Sequence, residues 1–201
     1  MLLLLVSTLM MVSCKKKKDD DYDPPVVTPT LLCDGNGTNS YYPLQTGNSY
    51  TYSYKLKSNA QKDKLFNITK DTVVAGQTYK KLQKDTMVTV YELLRSDISN
   101  NIYAYIPALN KEVLLVPGTP VFDQVTGATQ PGNTAKVTSI AAYFSTAYCN
   151  YSSLLEITEF DSKGKAVAVY QYKQGVGRVH VGLAPTPDAT EDYQLKSLIL
   201  K

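Results

Sequence analysis

From Ser49 to Tyr54 the chain reads Ser-Tyr-Thr-Tyr-Ser-Tyr, a strict alternation of small hydroxyl residue and large ring. A helix would scatter these rings around its circumference. An extended strand instead sets Tyr50, Tyr52 and Tyr54 on one face and Ser49, Thr51 and Ser53 on the other. The same period returns downstream: Phe66 and Ile68 alternate with Asn67 and Thr69, and a turn at Ala75-Gly76-Gln77 leads into residues 78–82. Further strands are expected at residues 88–95, 102–106, 112–116, 154–160, 166–173, 177–181 and 193–200. Asp161-Ser162-Lys163-Gly164-Lys165 reads as a hairpin connection, because Gly164 can take the positive φ of a bulged turn, and Asn110-Lys111 as another. These patterns predict an all-β fold of about nine antiparallel strands, as a strongly curved sheet, a barrel or a sandwich. The alternative is an α+β half-barrel with one short helix at 136–148, KVTSIAAYFSTAY. Residues 116–134 hold three of the ten prolines and three of the eleven glycines, so they form either a flap or an edge strand around Val121 and Phe122.

The chain opens on an apolar run that stops at Cys14, shorter than the about 20 residues a membrane-spanning helix needs. Residues 1–13 are therefore expected to be a signal peptide. Met11-Val12-Ser13-Cys14 resembles a bacterial lipobox with Met where Leu is commonest. The resemblance implies lipidation of Cys14, palmitate-type acylation of the new terminus and loss of the preceding peptide. Residues 14–32 carry four Lys, then four Asp within five residues, then three Pro within six. Such a segment buries no core and reads as a disordered tether. A Lys tract followed by acids after the lipidated Cys also resembles the export signal of Bacteroidetes surface lipoproteins. It implies an outer-membrane address on the cell surface, with the periplasmic leaflet as the alternative. Residues 33–201 remain as a single β-rich domain.

Composition narrows the chemistry. Lys plus Arg at 21 against Asp plus Glu at 18 leaves +3, too small an excess for a nucleic-acid partner. One His and three Cys leave little material for a His-based triad or a zinc site, so no metal and no cofactor is expected. With Cys14 lipidated, Cys33 and Cys149 remain in an oxidising compartment, and spacing alone leaves open whether they form a disulfide or stay separate. Glu156 with Glu159, or Glu191 with Asp192, could make a carboxylate pair only if the fold brought them face to face. His180, the single imidazole, sits in a strand beside Arg178 on the same face and reads as a packed or solvent-facing residue. Asp34 to Ser40 alternates oxygen-bearing side chains but lacks the remaining features of a calcium loop, and reads as a polar turn. Gly175 and Gly177 permit a kink in a strand; no helix follows to make a phosphate cradle. No catalytic residue emerges, and the chain reads as non-enzymatic.

Sixteen tyrosines against four phenylalanines and no tryptophan make Tyr the dominant aromatic. Tyr50, Tyr52, Tyr54, Tyr103, Tyr105, Tyr170 and Tyr172 fall in register and are candidate ligand-facing residues, although Tyr also pairs across sheets for purely structural reasons. Two segments carry a family resemblance. Tyr41-Tyr42-Pro43-Leu44-Gln45-Thr46-Gly47-Asn48-Ser49-Tyr50-Thr51-Tyr52 is similar to the FPLKVGNxWxY opening of many Bacteroidetes outer-membrane lipoproteins, with Tyr50 where Trp is usual. Tyr172-Lys173-Gln174-Gly175-Val176-Gly177-Arg178-Val179 resembles their YxKGVGxV segment. The resemblance implies an exported, β-rich lipoprotein and supplies no catalytic residue. The function expected is a membrane-anchored protein that binds a small molecule or glycan. A structural subunit partnered with an outer-membrane protein, and a hydrolase, are the alternatives.

Overall fold

The computed structural model describes residues 29–55, 61–85, 91–183 and 192–201. The signal peptide, most of the tether with Cys14, and Glu191 lie outside the described residues. A short helix, α1 (Pro29–Asp34), precedes the strands β1 (Ser49–Lys55), β2 (Gln61–Val74), β3 (Gln77–Lys84), β4 (Tyr91–Ser96), β5 (Ile102–Ile106), β6 (Lys111–Val116), β7 (Val125–Thr126), β8 (Thr134–Ser145), β9 (Asn150–Phe160), β10 (Ala166–Lys173), β11 (Gly177–Leu183) and β12 (Asp192–Ile199). All twelve lie in one antiparallel sheet of order β6-β5-β4-β3-β2-β1-β12-β11-β10-β9-β8-β7. The chain thus meanders outward from β1 to β6 and then back from β7 to β12, which pairs with β1.

The outer strands of the two meanders meet again. Gly127, just past β7, donates its backbone N–H to the Leu114 carbonyl on β6 at 2.7 Å. A Cβ at position 127 would lie 2.2 Å from that of Val113, so the seam draws this close only because the residue is glycine. The sheet becomes a nearly closed barrel, the arrangement that leaves fewest unpaired edges. Alternation then decides what fills it: Tyr50, Tyr52, Ile68, Leu82, Leu94 and Leu195 are all at most 1% exposed.

Odd-numbered strands run toward one end of the barrel, here termed the mouth, and even-numbered strands toward the other. Residues 35–48 cross that second end and close it. Asn36 N–H donates to the Gly175 carbonyl at 3.2 Å and Gly175 N–H to the Ser40 carbonyl at 2.8 Å. A Cβ on Gly35 would lie 2.6 Å from the Gly175 carbonyl carbon, so the two backbones stack where no side chain fits. The Tyr42 ring enters the barrel, 5.4 Å from Tyr50 and 6.3 Å from Tyr172. The Pro43 carbonyl accepts from both the Tyr50 hydroxyl and Asn48 Nδ2, each at 2.9 Å. The Cys33 and Cys149 sulfurs are bonded, with Cα atoms 5.7 Å apart and 116 residues of separation, which fastens α1 to the β8–β9 hairpin.

Several expectations change. The strand total is twelve rather than nine. Residues 136–148 are not a helix: they fall almost wholly in β8, whose register shifts at Val137/Ser139, Ser139/Ala142 and Ala142/Phe144 erase the alternation that would have revealed a strand. The edge strand of the 116–134 segment sits at Val125–Thr126, and Val121 and Phe122 stand exposed before it. Arg178 and His180 do not share a face. Gln171 pairs with His180 and Tyr172 with Arg178, so Val179 is an extra residue and reverses the parity between them. α1 begins four residues before the boundary at 33, and Leu32 packs on the core. The turn chemistry agrees with expectation: Gly164 has φ 76°, with Asp161 N–H donating to the Lys165 carbonyl, and Asn110 has φ 47°.

Candidate functional site

Above the Tyr42 plug the barrel is not filled. A cavity of about 380 Å³ occupies the mouth half, with walls that include Tyr52, Phe66, Ala104, Leu115, Tyr170 and Val181. Most of the wall comes from inward-facing side chains, with Leu93 and Tyr105 bordering it from the opposite parity. Phe66 lies opposite Lys84 across the β2–β3 ladder, and its ring meets Tyr52 edge-on at 5.5 Å. Leu82 lies opposite Glu92, and Leu94 opposite Ala104. Leu183 and Tyr193 complete the wall at the outer ends of β11 and β12.

Three charged side chains stand among these apolar walls: Lys84, Glu92 and Arg178. Arg178 reaches Glu92 across the barrel, with Nη2 donating to Oε1 at 2.9 Å and Nη1 to Oε2 at 3.3 Å. Its side chain is 10% exposed and that of Glu92 38%. Burial, the largest single influence, would lower the Arg178 pKa, but Glu92 together with Tyr42, Tyr52 and Tyr172 more than offsets it and the guanidinium stays protonated. Tyr52 donates its hydroxyl to the Arg178 carbonyl at 2.7 Å, which ties the base of the cavity to the bulged backbone. Arg178 Nε has no acceptor among the described residues.

The wall beside Tyr170 is held by a buried acid. Glu159 is 1% exposed and its carboxylate accepts from Thr129 N–H, Thr129 Oγ1, Gln130 N–H and Asn133 Nδ2 at 2.8–3.2 Å. These bonds fold residues 127–133 inward so that Thr129 lines the cavity, 3.4 Å from the Tyr170 hydroxyl.

Other candidate residues lie elsewhere. Tyr52, Tyr105 and Tyr170 line the cavity, whereas Tyr50 and Tyr172 are sealed below it against Tyr42 and have hydroxyl pKa values pushed up by burial. Tyr54 packs on Tyr193 at 4.6 Å between ring centres. Tyr103 belongs to an outer-face cluster, where Arg95 lies over its ring and pairs with Glu112, which also accepts from Tyr79. Glu156 and Glu159 point to opposite faces and cannot flank one substrate bond: Glu156 accepts from Thr138 and Gln171 on the outer surface. His180 continues that outer chain, bonded to Gln171 at 3.1 Å and to Asp192 at 2.8 Å, and the Phe144 ring covers it at 4.0 Å. It is 14% exposed, so it is the packed residue rather than the solvent-facing one. Its bond to Asp192 holds that carboxyl below the usual carboxylate range. Among the described residues, no three His, Cys, Asp or Glu side chains gather as a metal site requires.

Sequence reasoning passed over Glu92 and Lys84, yet a signal for both exists. Each stands two positions from an inward leucine, Leu94 and Leu82, so strand parity alone points it into the barrel. Arg178 gives no such signal, because the bulge that turns it inward depends on the pairing with β10.

No family model and no curated protein matches the sequence. Two solved structures are similar to the chain. One, from Bacteroides fragilis, is provisionally described as an exported protein with a YmcC-like fold; it shares 6% identity at a TM-score of 0.49 and covers 80% of this chain and 99% of its own. The other, from Parabacteroides distasonis, is provisionally described as a lipoprotein; it shares 8% identity at a TM-score of 0.45 and covers 81% of this chain and 99% of its own.

Proposed function

We propose that this protein is a lipid-anchored lipoprotein of the outer membrane whose barrel binds a small ligand in its mouth cavity, and that it performs no catalysis. The observation that carries the reading is the contrast inside one barrel. The plugged half closes around Tyr42, with Tyr42, Tyr50 and Tyr172 all fully buried, while the mouth half keeps about 380 Å³ open, within the size range of small-molecule sites. A structural barrel would fill both halves, since empty apolar space forfeits dispersion contacts. The anchor rests on the lipobox-like Met11–Cys14 segment.

Binding is tested with N-phenyl-1-naphthylamine, a neutral apolar fluorophore. The wild type should take it up saturably at one site. Ala104→Trp, which puts an indole into the cavity of a chain that has no Trp, should lose the site while keeping a single cooperative unfolding transition. Absence of saturable uptake by the wild type, or unchanged uptake by Ala104→Trp, would overturn the reading. Metabolic labelling with an alkyne-tagged fatty acid should mark the wild type and leave Cys14→Ala unmarked.

A further inference from the structure

The charged groups at the cavity wall say more than that it is hollow. A guanidinium has five N–H donors, of which Glu92 engages two, one of them over a long 3.3 Å contact. Arg178 is therefore a buried cation with donors to spare, and Nε already lacks an acceptor among the described residues. Its counter-ion is the more exposed partner, 38% against 10%, so Glu92 can turn toward the mouth while Arg178 stays in place. Lys84 adds a second positive charge to the wall and has no ion pair among the described residues. The remaining acid of this region, Glu159, is closed off behind residues 127–133 with its oxygens already accepting from four donors. The surface offered to a guest is thus two cations and one carboxylate set in aromatic and aliphatic walls.

We propose that the cavity selects apolar monoanions: one carboxylate on an aliphatic or aromatic body, its oxygens accepting from Arg178 and facing Lys84, its body against Tyr52, Phe66, Leu115 and Tyr170. This rests on the mouth cavity being a ligand site and adds the chemical class of the ligand. An uncharged guest would fill the walls and leave the spare donors without acceptors. A cation would face Arg178 and Lys84. A carboxylate satisfies the donors in a site of low dielectric, where charge-assisted hydrogen bonds are strongest. Glu92 then acts as an internal competitor, holding the guanidinium in place while the cavity is empty.

The test displaces N-phenyl-1-naphthylamine with decanoate, 2-naphthoate and decanol. At least one acid should displace it about tenfold more strongly than decanol, the worth of one charge-assisted pair. Arg178→Gln should erase that preference and Lys84→Gln reduce it. Glu92→Gln, which keeps the side-chain shape and an oxygen to accept from Arg178 while removing the competing charge, should strengthen acid binding several-fold while leaving decanol unchanged. A purely structural role for the pair predicts the reverse, with Glu92→Gln weakening every guest. If decanol binds as well as both acids, or Glu92→Gln fails to favour the acid, the selectivity is overturned and the cavity stands as a neutral site. If the fluorophore itself does not bind, the cavity reading falls first.

Discussion

The two halves of this barrel are lined by the same residue type and differ in what comes to meet it. Tyr50 and Tyr172 in the plugged half are fully buried because the Tyr42 ring enters from outside the sheet and packs against both. In the mouth half, Tyr52 is buried at the base of the cavity and Tyr170, on the same inward face, is only partly buried where it borders the open space. A tyrosine stripe is therefore neither a core nor a binding wall by itself. The crossing segment 35–48 decides, by closing one end and leaving the other.

That contrast makes the plugged half the place where substitutions should cost stability and the mouth the place where they should cost binding. The largest expected effect is loss of the bridge. Cys33→Ser with Cys149→Ser opens a loop of 116 residues and should lower unfolding stability by about 5 kcal/mol on the chain-entropy account. Urea denaturation of oxidised wild type against the double variant measures it, and a loss below about 1 kcal/mol would mean that the plug docks without its fastening. Next, Tyr42→Ala removes a fully buried ring and should cost about 3 kcal/mol by the same measurement. If it unfolds as the wild type does, the plugged half is not the packed half. Leu183→Ala, a comparable deletion made at the mouth, should cost under about 1 kcal/mol, because its side chain is only partly buried and borders the cavity. Its effect should appear instead as weaker uptake of the neutral fluorophore.

The smallest effect belongs to neither half but to the outer polar chain. The His180 bond depresses the Asp192 pKa. A carboxyl whose folded pKa lies below its unfolded value contributes stability above the unfolded value, about 4, and loses it as pH falls through the folded one. Asp192→Asn should therefore flatten the stability profile below pH of about 4 relative to wild type, by under about 1 kcal/mol because the pair is partly solvated. An identical acid limb in both proteins would show that this contact does not couple to folding.

Much of the architecture is legible along the chain. Period-two runs mark strands where large rings alternate with small polar residues, as at Ser49–Tyr52, whose rings are buried and whose hydroxyl residues are only partly so. Gly164 and Asn110 mark turns because their positive φ is a local demand. β8 is illegible for an equally physical reason: three register shifts break its alternation, and its Phe144 leaves the ladder's pattern to cover His180. β7 is two residues long and carries no period at all. At the cavity, Tyr52 and Tyr170 are visible as stripe members, and Lys84 and Glu92 are recoverable from parity. Arg178 is not, since a residue added at Val179 inverts its face only when β10 is alongside.

What the amino-acid order determines here is local: which segments extend, which residues can turn, and which side chains alternate, because each depends on backbone preferences spanning a few residues. What the tertiary structure decides is the use of those faces. Closing the sheet at Gly127 turns one face into an interior. Tyr42, arriving from a segment outside the sheet, packs half of it. Arg178 and Glu92 meet across the other half although 86 residues separate them. Each of these depends on long-range closure, whose geometry no short window of sequence contains.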